Sequence, residues 1–198
     1  MAWGRASWRG GSRSPRRETC SRENGNAYTD GFGPGVAALT AWWVDREAGQ
    51  AAVDQFVTLA GTRMQWQAGA RDAEHIDPEQ ALADQAILDL PGRADYMKAL
   101  LWDYQNNPPQ YPVWQAWLRQ RQPGLLAIWG ANDPFFIPAG ASAYKTDVPH
   151  AEVVLLDTGH FALEEEADTI AKHADRLLRS TFSGQAEPAW WSGAGPLP

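Results

Sequence analysis

The sequence predicts an α/β fold with parallel strands. Two short, unbroken apolar runs, residues 125–129 and 153–156, are bounded by turn residues, which is typical of strands buried on both faces of a sheet. Apolar residues at helical spacing lie between the two runs and again after the second. An order of strand, helix, strand and helix predicts that the strands pair in parallel through a right-handed crossover.

Composition and charge exclude several classes of protein. The 198 residues are 44% hydrophobic and 21% charged, as in globular domains, and no apolar run nears the roughly 20 residues that span a membrane. The net charge is −7, although residues 1–22 hold six arginines against one acid. An acidic remainder argues against a nucleic-acid partner. The single cysteine, Cys20, cannot form an internal disulfide, so we expect a cytoplasmic protein.

The first segment, residues 1–24, shows neither helical nor strand periodicity. It is rich in Arg, Ser and Gly, which favours a disordered leader. A transit peptide has a similar composition, and translation from a wrong frame or a wrong start is a third interpretation. The last segment, residues 183–198, is predicted to be a disordered tail.

Residues 25–121 are predicted to be mostly helical, without strands. Asp77 followed by Pro78 favours the start of a helix, because Asp caps the first turn and Pro fits within it. Further helices are predicted over residues 93–106 and 112–121. Residues 122–182 form a second region, which contains both predicted strands and their helices.

Each predicted strand ends in a polar turn that carries an ionisable side chain. Asp133 follows the first strand in the turn G-A-N-D-P, and His160 follows the second in D-T-G-H-F. Because neighbouring parallel strands end at the same edge of a sheet, we expect the two side chains to meet. A carboxylate in this place fixes the tautomer and orientation of an imidazole.

The two turns carry a resemblance to a known family. W-G-A-N-D-P-F-F and L-D-T-G-H-F-A-L-E-E resemble the acid and histidine turns of α/β-hydrolases, and most of all those of the haloalkane dehalogenase and epoxide hydrolase branch. Residues 25–121 resemble, more loosely, the helical cap of such enzymes. The resemblance implies the C-terminal portion of an α/β-hydrolase fold, with a helical cap, the last two parallel strands and their helices, and an incomplete sheet.

The resemblance also implies a function. These enzymes hydrolyse substrates through a covalent intermediate, using a nucleophile, an acid and a histidine in that order along the chain. Asp133 would be the acid and His160 the base, acting on a small, mostly apolar substrate without a cofactor or metal. Tyr104 and Tyr111 in the cap-like region, together with Trp129, are candidate substrate-binding residues.

The nucleophile of such a triad is missing from the sequence. It should lie on a sharp turn after an apolar strand and before the cap. Neither Ser12 nor Asp30 follows such a strand. We therefore expect a truncated or frame-shifted hydrolase that is inactive alone, with an open sheet edge through which it could associate with another chain.

Two other classes of function remain open. The chain could be a non-catalytic remnant or binding module that uses the helical region. It could also be an unrelated helical protein whose turns match by accident. In each hydrolase interpretation the partner is a small molecule, with no nucleic acid and no membrane.

Overall fold

The computed structural model describes residues 19–182, which fold around a three-stranded parallel sheet in the order β1-β2-β3. The strands are β1 (Thr19–Glu23), β2 (Gly124–Gly130) and β3 (Glu152–Leu156). The central strand β2 pairs with β1 on one side and with β3 on the other. Its apolar run is almost completely buried, as predicted for a strand covered on both faces.

The strand β1 was not predicted, because Thr19–Glu23 lies in the segment interpreted as a disordered leader. Residues 1–18 of that segment, and the predicted tail 183–198, lie outside the described residues. Cys20 packs against the core, whereas Ser21 and Arg22 are exposed. An edge strand needs only backbone pairing and one half-buried face, so β1 can be polar and leave no apolar run in the sequence.

The region before β2 is helical in the structure, as the sequence predicts. Asp77 caps its helix as expected, since its carboxylate accepts a hydrogen bond from the backbone N–H of Glu79. Within residues 19–182, no helix combines the length and the apolar character that crossing a membrane requires. The helices of this region are α1 (Ala37–Val44), α2 (Arg46–Phe56), α3 (Leu59–Gln67), α4 (Pro78–Leu88), α5 (Arg93–Asp103) and α6 (Tyr111–Arg121), with 3-10 turns at Thr29–Gly31, Pro34–Val36, Tyr104–Asn106 and Pro108–Gln110.

The two faces of β2 pack against different helices. Side chains alternate along a strand, so Leu125, Ala127 and Trp129 share one face, which packs against α7 (Pro138–Asp147). Leu126 and Ile128 face the other way and pack against α8 (Ala162–Phe182). The central strand β2 is therefore covered on both sides, whereas Leu155 on β3 is exposed. The carboxyl ends of the strands lie where α8 begins.

The helical region has a small core of its own. Trp42 is buried with Leu39 and Val53, and its ring meets that of Trp102 edge to face at 5.0 Å. The guanidinium of Arg46 lies 4.5 Å from the centroid of the Trp102 ring, in cation–π geometry. These contacts join α1 and α2 to α5, so the region is a packed unit and not a loose chain of helices.

Tyr144 on α7 gives a prediction about stability at high pH. Its ring is fully buried, its hydroxyl donates to the carbonyl of Gly25 at 2.7 Å, and burial raises its pKa to about 12. An unfolded tyrosine ionises near pH 10, so the unfolded state loses this proton first. The stabilisation is complete below pH 10 and is lost as the pH rises towards 12. At pH 11 we expect a loss of about 1.4 kcal/mol from this residue.

Urea unfolding at pH 9 and pH 11 measures this effect. The variant Tyr144→Phe keeps the ring and removes the titrating group, so its stability should fall less between the two pH values. Burial also raises the pKa of Tyr28 and Tyr111, so part of the alkaline loss should persist in the variant. An equal fall in both proteins would contradict the prediction.

Candidate active site

The structure brings Asp133 and His160 into contact. Asp133 lies in the turn after β2, His160 lies in the turn after β3, and the two strands are parallel neighbours. The imidazole Nδ1 is 2.8 Å from the carboxylate Oδ2, and the carboxylate is buried. The turns that the sequence predicted to share one edge of the sheet therefore do so.

The carboxylate of Asp133 accepts three hydrogen bonds and also contacts the imidazole of His160. Its Oδ1 accepts the backbone N–H groups of Phe135 at 2.7 Å and Phe136 at 3.0 Å. Its Oδ2 contacts the Nδ1 of His160 and accepts from the side-chain amide of Asn24 at 2.8 Å. Burying a carboxylate is costly unless hydrogen-bond donors surround it, and here both carboxylate oxygens have polar partners. The acid is consequently held in a single orientation.

Asn24 was not identified from the sequence, because it ends the segment interpreted as a leader. It directly follows β1, and its φ of 41° lies in the left-handed region that Asn tolerates better than most residues. Its side-chain Oδ1 accepts from the N–H of Gly130 at 3.0 Å, and its Nδ2 also donates to the carbonyl of His160 at 3.0 Å. An Asn-Gly pair in a polar stretch was the available signal for a strand end here.

Glu23 is a second acidic side chain near the imidazole, and the sequence did not reveal it either. Burial raises its pKa, while a hydrogen bond from the backbone N–H of Leu163 at 3.0 Å acts in the opposite direction. That N–H lies in the first turn of α8, where the helix favours a negative charge. Glu23 thus joins the end of β1 to the start of α8 beside His160.

His160 forms part of the wall of an apolar pocket of about 160 Å³. The rings of Phe135, Phe136 and Phe161 surround the imidazole at centroid distances of 5.2, 5.5 and 5.1 Å. Because Nδ1 faces Asp133, Nε2 lies on the other side of the ring. The remaining wall comes from the helical region and its 3-10 turns and consists of Phe32, Gly35, Val36, Leu39, Trp43, Phe56, Gln65, Leu101 and Tyr104.

The three candidate substrate-binding residues occupy different positions. Tyr104 lines the pocket and stacks on Phe136 at 6.3 Å, and burial raises its pKa, so its hydroxyl is protonated at neutral pH. Tyr111 is buried behind the pocket wall, against Phe32. Trp129 is wholly buried in the core, and its Nε1 donates to the carbonyl of Phe136 at 2.6 Å. The prediction that Trp129 contacts substrate does not fit this position, because an inward-facing residue of a central strand has no exposed surface.

No nucleophile can be assigned among the described residues that line the pocket. They include no Ser, Thr, Cys, Asp, Glu or Lys. Asp30, which lacks a preceding apolar strand in the sequence, is exposed on the 3-10 turn Thr29–Gly31. The described residues thus bring together a carboxylate, an imidazole and the walls of an apolar pocket.

The helical region is attached to the site at the turn after α3. Trp66 stacks on Phe161 at 4.0 Å, and the backbone N–H of Arg71 donates to Glu165 at 2.8 Å. Between them lies Gly69, with a φ of 80° and its Cα facing the turn of Asp133. These contacts position the helical wall of the pocket over the two polar turns.

The close approach at Gly69 gives a second prediction. A Cβ at this position would lie 2.1 Å from the carbonyl oxygen of Asn132 and would also require a left-handed backbone. We expect Gly69→Ala to cost about 3 kcal/mol, from left-handed strain and overpacking together. Gly92 has a similar φ of 77° with no atom near its absent Cβ, so Gly92→Ala should cost only about 1 kcal/mol.

The two alanine variants form a matched pair, because they share the backbone strain and differ in the contact. Urea unfolding followed by tryptophan fluorescence measures both. Equal losses of stability would show that the turn after α3 does not press against the turn of Asp133.

A buried carboxylate in contact with an imidazole, at the ends of neighbouring parallel strands, is the arrangement that α/β-hydrolases use for their acid and histidine. Residues 34–167 match the family model described as the alpha/beta hydrolase fold. The chain belongs to the α/β-hydrolase fold family, which confirms the predicted resemblance and fold class.

Known relatives agree with this assignment. The chain is 36% identical over 159 residues to the uncharacterized hydrolase YNR064C of Saccharomyces cerevisiae, a match that covers 76% of this chain and 53% of the yeast protein. Among solved structures, it resembles the 2-hydroxy-6-oxo-6-phenylhexa-2,4-dienoate hydrolase BphD of Rhodococcus sp. strain RHA1, with a TM-score of 0.64 and 16% identity over 82% of this chain and 55% of that one. It also resembles the meta-cleavage product hydrolase CumD of Pseudomonas fluorescens IP01, with a TM-score of 0.57 and 13% identity over 82% and 56%.

The coverage and identity of these matches decide how specifically the family of the chain can be assigned. The chain spans about half the length of the relatives that it matches. At 16% and 13% identity, the two solved structures show a shared fold alone. The chain is therefore assigned to the α/β-hydrolase fold family, and its activity and particular branch stay predictions.

Proposed function

We propose that Asp133 and His160 are the acid and the base of a nucleophile–acid–histidine triad that hydrolyses a small, mostly apolar substrate. The observation that carries the proposal is the 2.8 Å contact between Oδ2 and Nδ1 at adjoining strand ends. Family membership supports it, since the order of the two residues along the chain is that of α/β-hydrolases. Nothing in the family assignment favours the alternative of a binding module.

The two side chains have separate roles in this proposal. Asp133 accepts the Nδ1–H of His160, so Nε2 of the neutral ring is the free base. If the nucleophile is serine, His160 takes its proton during attack; if it is aspartate, His160 activates the water that hydrolyses the covalent ester. Asp133 stabilises the imidazolium that forms in either case. No step requires a cofactor or a metal.

The pocket supports the proposed class of substrate. Its walls are almost entirely aromatic or aliphatic, and its volume of about 160 Å³ suits a small apolar group. Tyr104 is the hydroxyl donor in this wall, and we assign it the role of contacting a substrate oxygen. Tyr111 packs against Phe32 behind the pocket wall and has no direct role in this proposal.

We further propose that the chain by itself has no turnover above background on esters, epoxides or haloalkanes, because the described pocket wall offers no nucleophile. The test is an assay of the purified chain and of His160→Ala on small p-nitrophenyl esters, styrene oxide and 1-chlorobutane. Equal, background rates are expected. Activity that His160→Ala abolishes would overturn the proposed inactivity while supporting the role of the base.

The role of the pair is tested separately in a longer relative. In a chimera, the matched segment of the yeast hydrolase is replaced by the corresponding segment of this chain, and kcat/KM is measured on the same substrates. We expect His160→Gln to lower kcat/KM by about 10³-fold or more. Asn132→Ala, one residue from Asp133 but hydrogen-bonded to Asp157, is the control and should change kcat/KM little. An active chimera that tolerates His160→Gln would overturn the proposal.

A further inference from the structure

We propose that Asn24 is a positioning residue that fixes the hydrogen bond between Asp133 and His160. The inference rests on the proposed function of that pair. Asn24 is buried at the end of β1, and its side-chain amide contacts both the Asp133 carboxylate and the backbone of the histidine turn. A single side chain thereby restrains both the carboxylate of Asp133 and the turn that carries His160.

The first part of the argument is geometric. The Oδ1 of Asn24 accepts from the N–H of Gly130 at 3.0 Å, where β2 ends. Its Nδ2 donates to Oδ2 of Asp133 at 2.8 Å and to the carbonyls of His160 at 3.0 Å and Gly159 at 3.3 Å. The ends of all three described strands therefore meet at one amide group. Any shift of the histidine turn relative to the acid turn has to break one of these bonds.

The second part concerns the direction of the carboxylate. Backbone N–H groups of Phe135 and Phe136 hold Oδ1 of Asp133, so the group cannot rotate without losing both. On Oδ2, the amide of Asn24 occupies one acceptor site and leaves the other for Nδ1 of His160. A carboxylate oriented in this way selects the imidazole tautomer with the proton on Nδ1. Asn24 would thus keep Nε2 unprotonated, and available as the base, without contacting it.

The chemistry of an amide suits this position. One end must accept from a backbone N–H while the other donates to a carboxylate and to carbonyl oxygens, and only a carboxamide offers both at this length. Aspartate would place a second carboxylate against Asp133. The φ of 41° is tolerated by Asn and by Gly, so the backbone alone does not explain the side chain.

The test compares the tautomer of neutral His160 in the whole chain by ¹⁵N NMR of the ring nitrogens. In Asn24→Gly the left-handed backbone is kept and the amide is removed. We expect the ratio of the Nδ1–H tautomer to the Nε2–H tautomer to fall about fivefold, the equivalent of about 1 kcal/mol. Asn132→Ala removes a side-chain amide from the turn of Asp133 that donates to Asp157 and not to Asp133, so it should leave the ratio unchanged.

The outcomes separate the inference from the proposed function. A wild-type His160 that carries its proton mainly on Nε2 would overturn the acid–base pair and with it the inference. A wild-type Nδ1–H tautomer that persists at the same ratio in a folded Asn24→Gly variant would overturn the inference alone. Such a variant would show that the amide stabilises the strand ends without orienting the imidazole.

A second variant decides the matter if Asn24→Gly does not fold. Asn24→Asp has the same shape and keeps the acceptor for Gly130. Two carboxyl groups in direct contact cannot both ionise easily, so we expect the introduced carboxyl and that of Asp133 to share one proton at pH 7. Carboxyl ¹³C NMR measures this. Two fully ionised groups at pH 7 would overturn the inference, because they would show that the side chain at position 24 does not contact the acid.

Discussion

Replacing Asp133 with alanine is expected to lower the free energy of unfolding by about 4 kcal/mol. The change leaves two backbone N–H groups, the amide of Asn24 and the Nδ1 of His160 without their shared acceptor. Each buried donor that loses its partner costs about 1–3 kcal/mol, and water entering the turn recovers part of the sum. Since domains of this size are stable by only about 5–15 kcal/mol, the loss should be plain in urea unfolding.

Asp133→Asn is the matched control. Its amide oxygen can still accept from the N–H groups of Phe135 and Phe136, so the turn keeps its shape. Its NH₂ group then faces two donors, Asn24 and His160, and we expect a cost of about 1–2 kcal/mol. If alanine and asparagine cost the same, the backbone hydrogen bonds to Oδ1 would contribute nothing, contrary to the structure.

Trp129→Ala should be about as damaging, by about 4 kcal/mol, for a different reason. The ring of Trp129 is wholly buried on the face of β2 that packs against α7. Removing a large aromatic side chain from a core typically costs about 3–5 kcal/mol, because neighbours close the cavity only partly. The indole also holds the carbonyl of Phe136, whose ring lies 5.5 Å from the imidazole of His160, so the pocket wall should loosen too.

Trp129→Phe separates the two contributions. It keeps one aromatic ring in the core but removes the donor to Phe136 and part of the indole's volume, so a cost of about 1–2 kcal/mol is expected. Unfolding in urea gives both values. An alanine variant that is no less stable than the phenylalanine variant would mean that this ring is not packed in the core.

The elements predicted correctly are those in which local chemistry and burial agree. Asp77 and Pro78 mark the start of α4 because capping and first-turn geometry depend on neighbouring residues alone. The run of β2 is readable because a strand covered on both faces must be apolar throughout. The strand β1 has neither a capping signal nor an apolar run. It forms because it pairs with Gly124–Gly130, more than a hundred residues later in the sequence.

The site was predictable to the same extent. Asp133 and His160 lie directly after the two strands with clear signals, so their meeting follows from parallel pairing. Glu23 ends β1 and Asn24 follows it, and this strand has no clear signal in the sequence. The contacts of both residues with the site come entirely from tertiary structure. Trp129 was misplaced because an aromatic residue at a strand end can face the core or the pocket, and only the register of the pleat decides between them.

The long connection between β1 and β2 has a consequence for how the chain acquires its structure. Asn24 and Asp133 are 109 positions apart, whereas most contacts of α1 to α6 are close in sequence. Closing a long loop costs entropy before distant contacts can repay it, so local helices are expected to form early and β1 to dock late. Pulse-labelling hydrogen exchange during refolding should protect the amides of α1 and α2 before those of Thr19–Glu23. The polar contacts around His160 would then be completed only when β1 pairs with β2.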